Sequence, residues 1–286
     1  QLSTSSHLLY KNHAQTTRSI KAPHNHYHET TMQSLIWSST IPLHISHPSS
    51  PIPYLINIPR VSYLPLLLPR LTTFFGPVCS SFSYEGILLK NLPVGLLADL
   101  YAPELPWRVV VEGGLEFDMH DTFMNSVKEA DFIRYGTAKG IMSMSKENST
   151  TLWNSVVDND YQTFHRISSI LLNPSIPLKH IPLRIYVPST PSKSSPSDSH
   201  PAPLASFKII QTLLPPRTPN REVQTLGMAL NSLLPTLFPS RRDPILAEAV
   251  LHGASVPFRA PLEELMREAA YADGWVSLCV VMVDAV

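Results

Sequence analysis

The sequence predicts an α+β protein in which two copies of a small β-grasp, or ubiquitin-like, domain flank a helix-rich domain. Two stretches of the chain have the same element order, strand–strand–helix–strand–helix–strand, which is the order of a mixed sheet wrapped around one main helix. The spacing of a proline, a leucine and a tryptophan also recurs, in Pro93, Leu97, Trp107 and again in Pro261, Leu265, Trp275. Repeated order with repeated spacing indicates one module that occurs twice.

The first copy is predicted over residues 32–117. In IPLHISH (41–47) every second residue is aliphatic, which is typical of a strand with one buried face, and YLINI (54–58) gives a second strand. The remaining elements are a helix that begins at Pro65, a strand over 82–89, a short helix over 94–101 and a closing strand over 107–111.

The second copy is predicted over residues 179–286. Its elements are strands over 181–187 and 207–213, a helix capped by Thr225, a strand over 250–258, a helix that begins at Pro261, and a closing strand over 275–283. The segment 189–205 between the first two strands is rich in serine and proline and cannot form a core. We therefore expect a disordered loop there.

Between the copies, residues 118–178 have the periods of helices. Asp118 and Asp121 suit the first turn of a helix that contains Lys128, because carboxylates are stabilised at a helix N-terminus. A second helix is expected to be capped by Ser143 or Ser145. A third is expected to start at Asp158 or Asn159 and to stop at Pro174.

Residues 1–31 differ from the rest of the chain, since they are polar and lack an apolar period. We expect a disordered or non-native extension here, with the natural start at Met32. The chain contains neither a signal-peptide pattern nor an uninterrupted apolar run of the ~20 residues that a spanning helix needs.

Composition and motifs argue against several classes of function. The net charge is zero and charged residues make up 15%, so we expect no nucleic-acid partner and only indirect or peripheral membrane contact. Cys79 and Cys279 lie in apolar runs and are predicted to be buried, reduced thiols of a cytoplasmic protein. The phosphate-binding glycine loop, His-Glu-x-x-His and Gly-x-Ser-x-Gly are all missing. We therefore expect no catalytic residues, no metal and no cofactor, although HNHYH (24–28) leaves a metal-dependent enzyme as a minor alternative.

Lys128 is the residue that this pattern leaves unexplained. It lies in FMNSVKEADFIRYG (123–136), and on a helical wheel the residues expected to surround it are Met124, Asp131, Phe132 and Tyr135. One interpretation is a lysine that extends over apolar surface and pairs with Asp131 at i+3. The other is an amine presented on a docking surface made by these four residues, where another protein binds and acylates it.

Four segments carry a resemblance to a known family: YLINIPRVSYLPLLLPR (54–70), YEGILLKNLPVGLLADLY (84–101), FMNSVKEADFIRYGTAKGIMSMSKENSTTLW (123–153) and VPFRAPLEELMREAAYADGWVSLCV (256–280). In order and spacing they resemble fungal members of the autophagy protein 5 family, from about Trp37 to Val280. One departure is Ser39, where the family has a glycine, and it is expected to alter the turn into the first strand.

The resemblance implies two ubiquitin-like folds that flank a helix-rich domain. It also implies that Lys128, in the family's K-E-A-D motif, accepts the C-terminal glycine of the ubiquitin-like autophagy protein 12 through an isopeptide bond, delivered by an activating and a conjugating enzyme. The conjugate would bind the coiled-coil autophagy protein 16 and act like a ligase that attaches autophagy protein 8 to phosphatidylethanolamine during autophagosome formation. The chain would then be a scaffold without its own active site, in the cytoplasm and peripherally at the phagophore membrane. The alternative is an unmodified adaptor that only binds protein partners.

Overall fold

The computed structural model describes residues 31–114, 118–189 and 206–283. Within these ranges it contains two five-stranded sheets and a group of helices between them in the sequence. The predictions for residues 1–30 and 190–205 lie outside the described residues.

The first sheet has the strand order β2-β1-β5-β3-β4, with β1 and β5 parallel and the other pairs antiparallel. Its strands are β1 (Thr40–Ser46), β2 (Tyr54–Pro59), β3 (Ser81–Tyr84), β4 (Ile87–Leu88) and β5 (Trp107–Glu112). The helices of this part are α1 (Met32–Ser38), α2 (Leu68–Phe75), which follows a 3₁₀ turn over Leu64–Leu67, and α3 (Val94–Tyr101).

Helix α1 is not predicted from the sequence, and it leads directly into β1. Ser39 ends this helix with an extended backbone, φ −76°, and its N–H bonds the carbonyls of Leu35 and Ile36. Because this conformation is open to any residue, the serine that departs from the family pattern fits here without the strain that would require glycine. The structure shows no strain at Ser39, and a change of the turn relative to family members with glycine stays a prediction.

The middle of the chain forms α4 (Met119–Tyr135), α5 (Lys139–Met142), α6 (Lys146–Val157) and α7 (Tyr161–Leu172). The predicted start of α4 at Asp118 and Asp121 is confirmed: Asp121 lies in the first turn, and Asp118 caps the helix by accepting from the Asp121 amide at 3.0 Å. Ser145 caps α6. The start of the third helix is wrong by one or two residues: Asp160 caps α7 by accepting from the Thr163 amide at 3.1 Å. In the described residues no helix is long and apolar enough to cross a membrane.

The second sheet has the order β7-β6-β10-β8-β9, which repeats the first sheet strand for strand. Its elements are β6 (Leu183–Ser189), β7 (Ser206–Gln211), α8 (Leu226–Leu233), β8 (Ala247–Leu251), β9 (Ala254–Ser255), α9 (Leu262–Ala269) and β10 (Val276–Met282). Strands β6 and β10 are parallel, as β1 and β5 are. The repeat predicted from element order is confirmed.

The two tryptophans that suggested the repeat are not equivalent. Trp107 pairs with Leu43 across β1 and β5, whereas the matching partner of Leu183 is Val276. Successive side chains in an extended chain point to opposite faces of the sheet. This shift of one residue therefore places Trp275 on the face opposite to that of Val276, which is the residue equivalent to Trp107. Both tryptophans are fully buried, but Trp275 is buried against α4.

Two segments predicted as single strands, 82–89 and 250–258, are hairpins. The turn of the first is Glu85-Gly86, with φ 51° and 78°, and the turn of the second is His252-Gly253, with φ 53° and 82°. Two consecutive left-handed residues make the tight turn whose twist matches a hairpin. The two cysteines, Cys79 and Cys279, are free and buried as predicted.

Candidate functional site around Lys128

Helix α4 has a buried face and an exposed face, and Lys128 lies on the exposed one. The buried face contains the apolar residues Phe123, Val127 and Ala130, each at most 2% exposed. The opposite stripe of the helix is exposed and includes Asp121, Asn125, Lys128, Glu129 and Phe132. Lys128 therefore presents its amine to solvent from the middle of a helix whose other side belongs to the core.

Within the described part of the chain the Lys128 ammonium has one protein partner, since Nζ donates to Asn125 Oδ1 at 3.2 Å. Among the described residues, no carboxylate lies within the 4.0 Å ion-pair distance of this nitrogen. A single hydrogen bond between exposed side chains contributes only about 1 kcal/mol or less. The amine can therefore leave Asn125 at little cost.

The predicted pair between Lys128 and Asp131 is wrong. Asp131 is buried, 1% exposed, and its Oδ2 accepts from the Ile141 amide at 3.1 Å. Helix α5 packs so closely here that a Cβ on Gly140 would lie 2.9 Å from the same oxygen. Burial raises the pKa of Asp131, while the Ile141 amide and Arg134 act in the opposite direction. Asp131 thus holds α5 against α4.

Of the four residues predicted to form a docking surface, only Phe132 is exposed. Its side chain is 55% exposed, whereas those of Met124 and Tyr135 are 7% and 6% exposed and Asp131 is buried as described. Met124 packs into the core, and the Tyr135 hydroxyl donates to the Leu172 carbonyl at 3.3 Å. The surface around Lys128 is therefore made by Asn125, Glu129 and Phe132, and the larger predicted surface is corrected.

Ser126, two residues before Lys128, anchors α4 to the second sheet. Its hydroxyl donates to Asp273 Oδ2 at 2.7 Å, and its carbonyl accepts from Trp275 Nε1 at 3.1 Å. Arg184 on β6 adds a bond from Nη1 to the Ser126 hydroxyl at 3.3 Å. Asp273 is buried, which raises its pKa, while Ser126 and Arg184 oppose the shift. These contacts fix the helix directly beside the lysine.

Arg184 also forms an ion pair with Glu129, the residue next to Lys128. Its guanidinium lies 3.7 Å above the centre of the Trp275 ring, within cation–π range, and Nη2 bonds Glu129 Oε2 at 2.7 Å. Glu129 is thereby held toward β6. The result is a helix backbone held on one side by these contacts and an exposed amine that bonds Asn125.

Sequence reasoning missed Ser126, Arg184, Asp273 and Trp275 as supports of the site. They come from three separate parts of the chain, and no local pattern joins them. The contact with Asn125 could have been predicted from the sequence, since residues three apart on a helix are neighbours on its surface.

Three exposed residues at the start of α4, Asp118, His120 and Asp121, have ligand atoms within 4.8 Å of one another. Asp118 serves as the helix cap, and the His120 ring packs edge-on against Trp153. Carboxylates at a helix start are stabilised by the helix dipole without any ion, so this group does not alter the assignment of the site.

Comparison with known proteins identifies three consecutive regions of the chain. Residues 36–113 match the family described as "Autophagy protein ATG5, UblA domain", residues 116–174 match its "alpha-helical bundle region", and residues 180–280 match its "UblB domain". The fold itself is similar to the crystal structure of Kluyveromyces marxianus Atg5, with a TM-score of 0.67 over 87% of this chain and 99% of that one at 19% identity.

Fungal relatives agree with these matches over nearly their whole length. Autophagy protein 5 of Sclerotinia sclerotiorum is 68% identical over 266 residues, which cover 88% of this chain and 100% of the relative. Autophagy protein 5 of Chaetomium globosum is 59% identical over 255 residues, covering 88% and 90%. The resemblance and the predicted fold class, two ubiquitin-like domains that flank a helical region, are both confirmed. The chain belongs to the autophagy protein 5 family and has its role in autophagy.

Proposed function

We propose that Lys128 is the acceptor of autophagy protein 12. The Lys128 amine attacks the thioester carbonyl that joins the C-terminal glycine of autophagy protein 12 to a conjugating enzyme. A carbon–nitrogen bond forms, the carbon–sulfur bond breaks, and the enzyme's thiol leaves with the proton that the amine gives up. The product is an isopeptide, and an activating enzyme supplies the thioester beforehand.

The observation that carries this proposal is the contrast between a fixed helix and a free amine. Among the residues that the structure describes, Lys128 Nζ bonds only Asn125, while Ser126 and Glu129 on either side are held by β6 and Asp273. A nucleophile on a rigid helix loses little conformational freedom when a partner docks, and such positioning lowers the barrier of a transfer reaction.

The chain contributes the nucleophile, and the conjugating enzyme contributes the base. Phe132, one turn after Lys128, offers an exposed aromatic ring on which that enzyme can dock. In this proposal the acceptor lies in the helix-rich domain, 118–178, between ubiquitin-like domains over 32–117 and 179–286. The conjugate binds autophagy protein 16 and acts like a ligase for lipidation of autophagy protein 8. It works in the cytoplasm and peripherally at the phagophore membrane, and the chain alone has no catalytic activity.

Co-expression with autophagy protein 12 and its two enzymes, followed by a denaturing gel, tests the acceptor. Lys128→Arg keeps the charge but cannot form the isopeptide, and Lys146→Arg, an exposed lysine on α6, is the matched control. We expect a shifted band for the wild type and for Lys146→Arg but not for Lys128→Arg. A shifted band in all three would transfer the attachment to another lysine. No band in any, with enzymes active on a known acceptor, would favour the unmodified adaptor.

The docking role of Phe132 has its own test. Truncating an aromatic residue that anchors an interface costs about 2 kcal/mol or more of binding free energy, which corresponds to a roughly thirtyfold loss of affinity. We therefore expect Phe132→Ala to slow conjugation by about that factor, while Ile170→Ala, which removes an exposed apolar side chain from α7, has no effect. Equal rates for both variants would exclude Phe132 from the docking surface.

A further inference from the structure

Three arginines meet in a cleft on the second ubiquitin-like domain, away from Lys128. Arg241, Arg242 and Arg259 line a space of about 490 Å³ together with Thr225 and Met228. A second cleft of about 320 Å³ shares Arg242 and Arg259 and extends to Pro244 and Val256. Arg241 and Arg242 are consecutive in the sequence, and Arg259, from a later segment, lies beside them on the surface.

The positive charge of this cleft is poorly compensated. All three arginines are exposed, and within the described residues none has a carboxylate at ion-pair distance. Arg241 donates from Nε to the neutral Asn231 side chain at 3.0 Å. Asp243 lines the second cleft as its one acidic residue. Three cations and one anion in a concave surface concentrate a positive potential there.

The fold holds these arginines in place through their backbones. A Cβ on Gly227 would lie 2.1 Å from the Arg241 carbonyl oxygen, so the glycine lets the chain at Arg241 pass directly over α8. The Gly227 amide bonds the Phe258 carbonyl at 2.8 Å, which fixes the segment that carries Arg259. The first amides of α8 are thereby already used, since the Leu226 amide also bonds Ala260. A bound anion would be held by the guanidinium groups.

We propose that this cleft binds the phosphate group of an anionic phospholipid. Guanidinium groups form paired hydrogen bonds with phosphate oxygens, and three of them on one rigid surface suit a single phosphate. The lipid source follows from the adjoining chain: Ile245 and Leu246, directly after Pro244, are 56% and 45% exposed. Basic residues beside exposed aliphatic ones are typical of a surface that lies at the boundary between headgroups and acyl chains.

Vesicle flotation of the full chain tests this site. The vesicles consist of phosphatidylcholine with or without phosphatidic acid as a minor component. The variants are Arg242→Gln/Arg259→Gln and the matched control Arg108→Gln/Arg70→Gln, which removes two exposed arginines from the first domain. A basic residue near an anionic surface contributes about fivefold in affinity, so we expect roughly 25-fold weaker binding for the cleft variant and a much smaller change for the control. Melting temperatures near that of the wild type would show that each variant is folded, and Arg259→Gln alone provides a milder variant.

A second arm separates the lipid from a free anion. Ile245→Ser should weaken binding to phosphatidic acid vesicles without changing the weak binding of inorganic phosphate, measured by chemical shifts of the arginine Nε groups. Equal binding to vesicles with and without phosphatidic acid would overturn the proposal, and so would equal losses in the cleft variant and the control. Binding of inorganic phosphate without vesicle binding would overturn the lipid assignment.

Discussion

His252, at the turn between β8 and β9, is predicted to make stability depend on pH. Its Nε2 donates to the Ala269 carbonyl at 2.9 Å, and the centre of its ring lies 4.3 Å from that of Tyr271. Its Nδ1 is buried and has no hydrogen-bond partner among the described residues. Protonation would add a charged donor at Nδ1 in this apolar surrounding. Burial lowers the pKa of His252 from 6.5 to about 4; the Ala269 carbonyl opposes the shift, and the positive charge of Arg60 adds to it.

The sign and size follow from proton linkage. The unfolded chain binds the proton near pH 6.5 and the folded chain only near pH 4. The free energy of unfolding is therefore unaffected above pH 6.5 and falls as the pH decreases toward 4. The expected loss from this residue is about 1.4 kcal/mol at about pH 5.5 and about 2.5 kcal/mol at about pH 4.5.

Urea unfolding of the wild type and of His252→Asn across this range measures the effect. Asparagine does not titrate and tolerates the left-handed backbone at this position, φ 53°, so the turn is retained. Buried aspartates such as Asp99, whose pKa is raised by burial, contribute with the opposite sign but cancel between the two proteins. Between neutral pH and about pH 4.5 the wild type should lose about 2.5 kcal/mol of unfolding free energy relative to the variant. A constant difference would refute the reasoning.

Two further substitutions test the packing. In thermal denaturation, Gly227→Ala should reduce the unfolding free energy by on the order of 3 kcal/mol, because its Cβ would meet the Arg241 carbonyl oxygen at 2.1 Å and the backbone must move. The control Gly113→Ala, whose Cβ would have its nearest contact at 3.5 Å, should be nearly neutral in the same assay. Arg60→Met leaves Asp99, whose side chain is 3% exposed, without its ion-pair partner and should cost about 3–5 kcal/mol in urea. The double variant with Asp99→Leu should recover most of that loss, and an equally unstable double variant would contradict the pairing.

The sequence predicted those parts of the fold that depend on local periods. Alternation in residues 41–47 and 181–187 identified the first strand of each sheet, because one face of each strand is buried. The hairpins at Gly86 and Gly253 were read as single strands because the residue before each glycine is Glu85 or His252. Neither dipeptide is the Asn-Gly or Asp-Gly pair that would have signalled a hairpin.

The candidate site was predicted only as far as one helix could show. The helical wheel identified the buried face of α4 and left Lys128 outside it. It assigned Asp131 to the lysine, because it could not show that α5 returns to the same place and supplies the Ile141 amide. The arginine cleft was equally hidden, since composition averages charge along the chain whereas Gly227 brings Arg241 and Arg259 together in space.

The most direct test of the account is to map the branch point in the conjugate by mass spectrometry. Trypsin cleaves after Arg108, Lys128 and Arg134, and an acylated Lys128 resists cleavage. We expect the conjugate band to yield one peptide over 109–134, with the C-terminal fragment of autophagy protein 12 attached at Lys128. Full recovery of the separate peptides 109–128 and 129–134, with the branch on another lysine, would contradict the assignment of Lys128 as the acceptor.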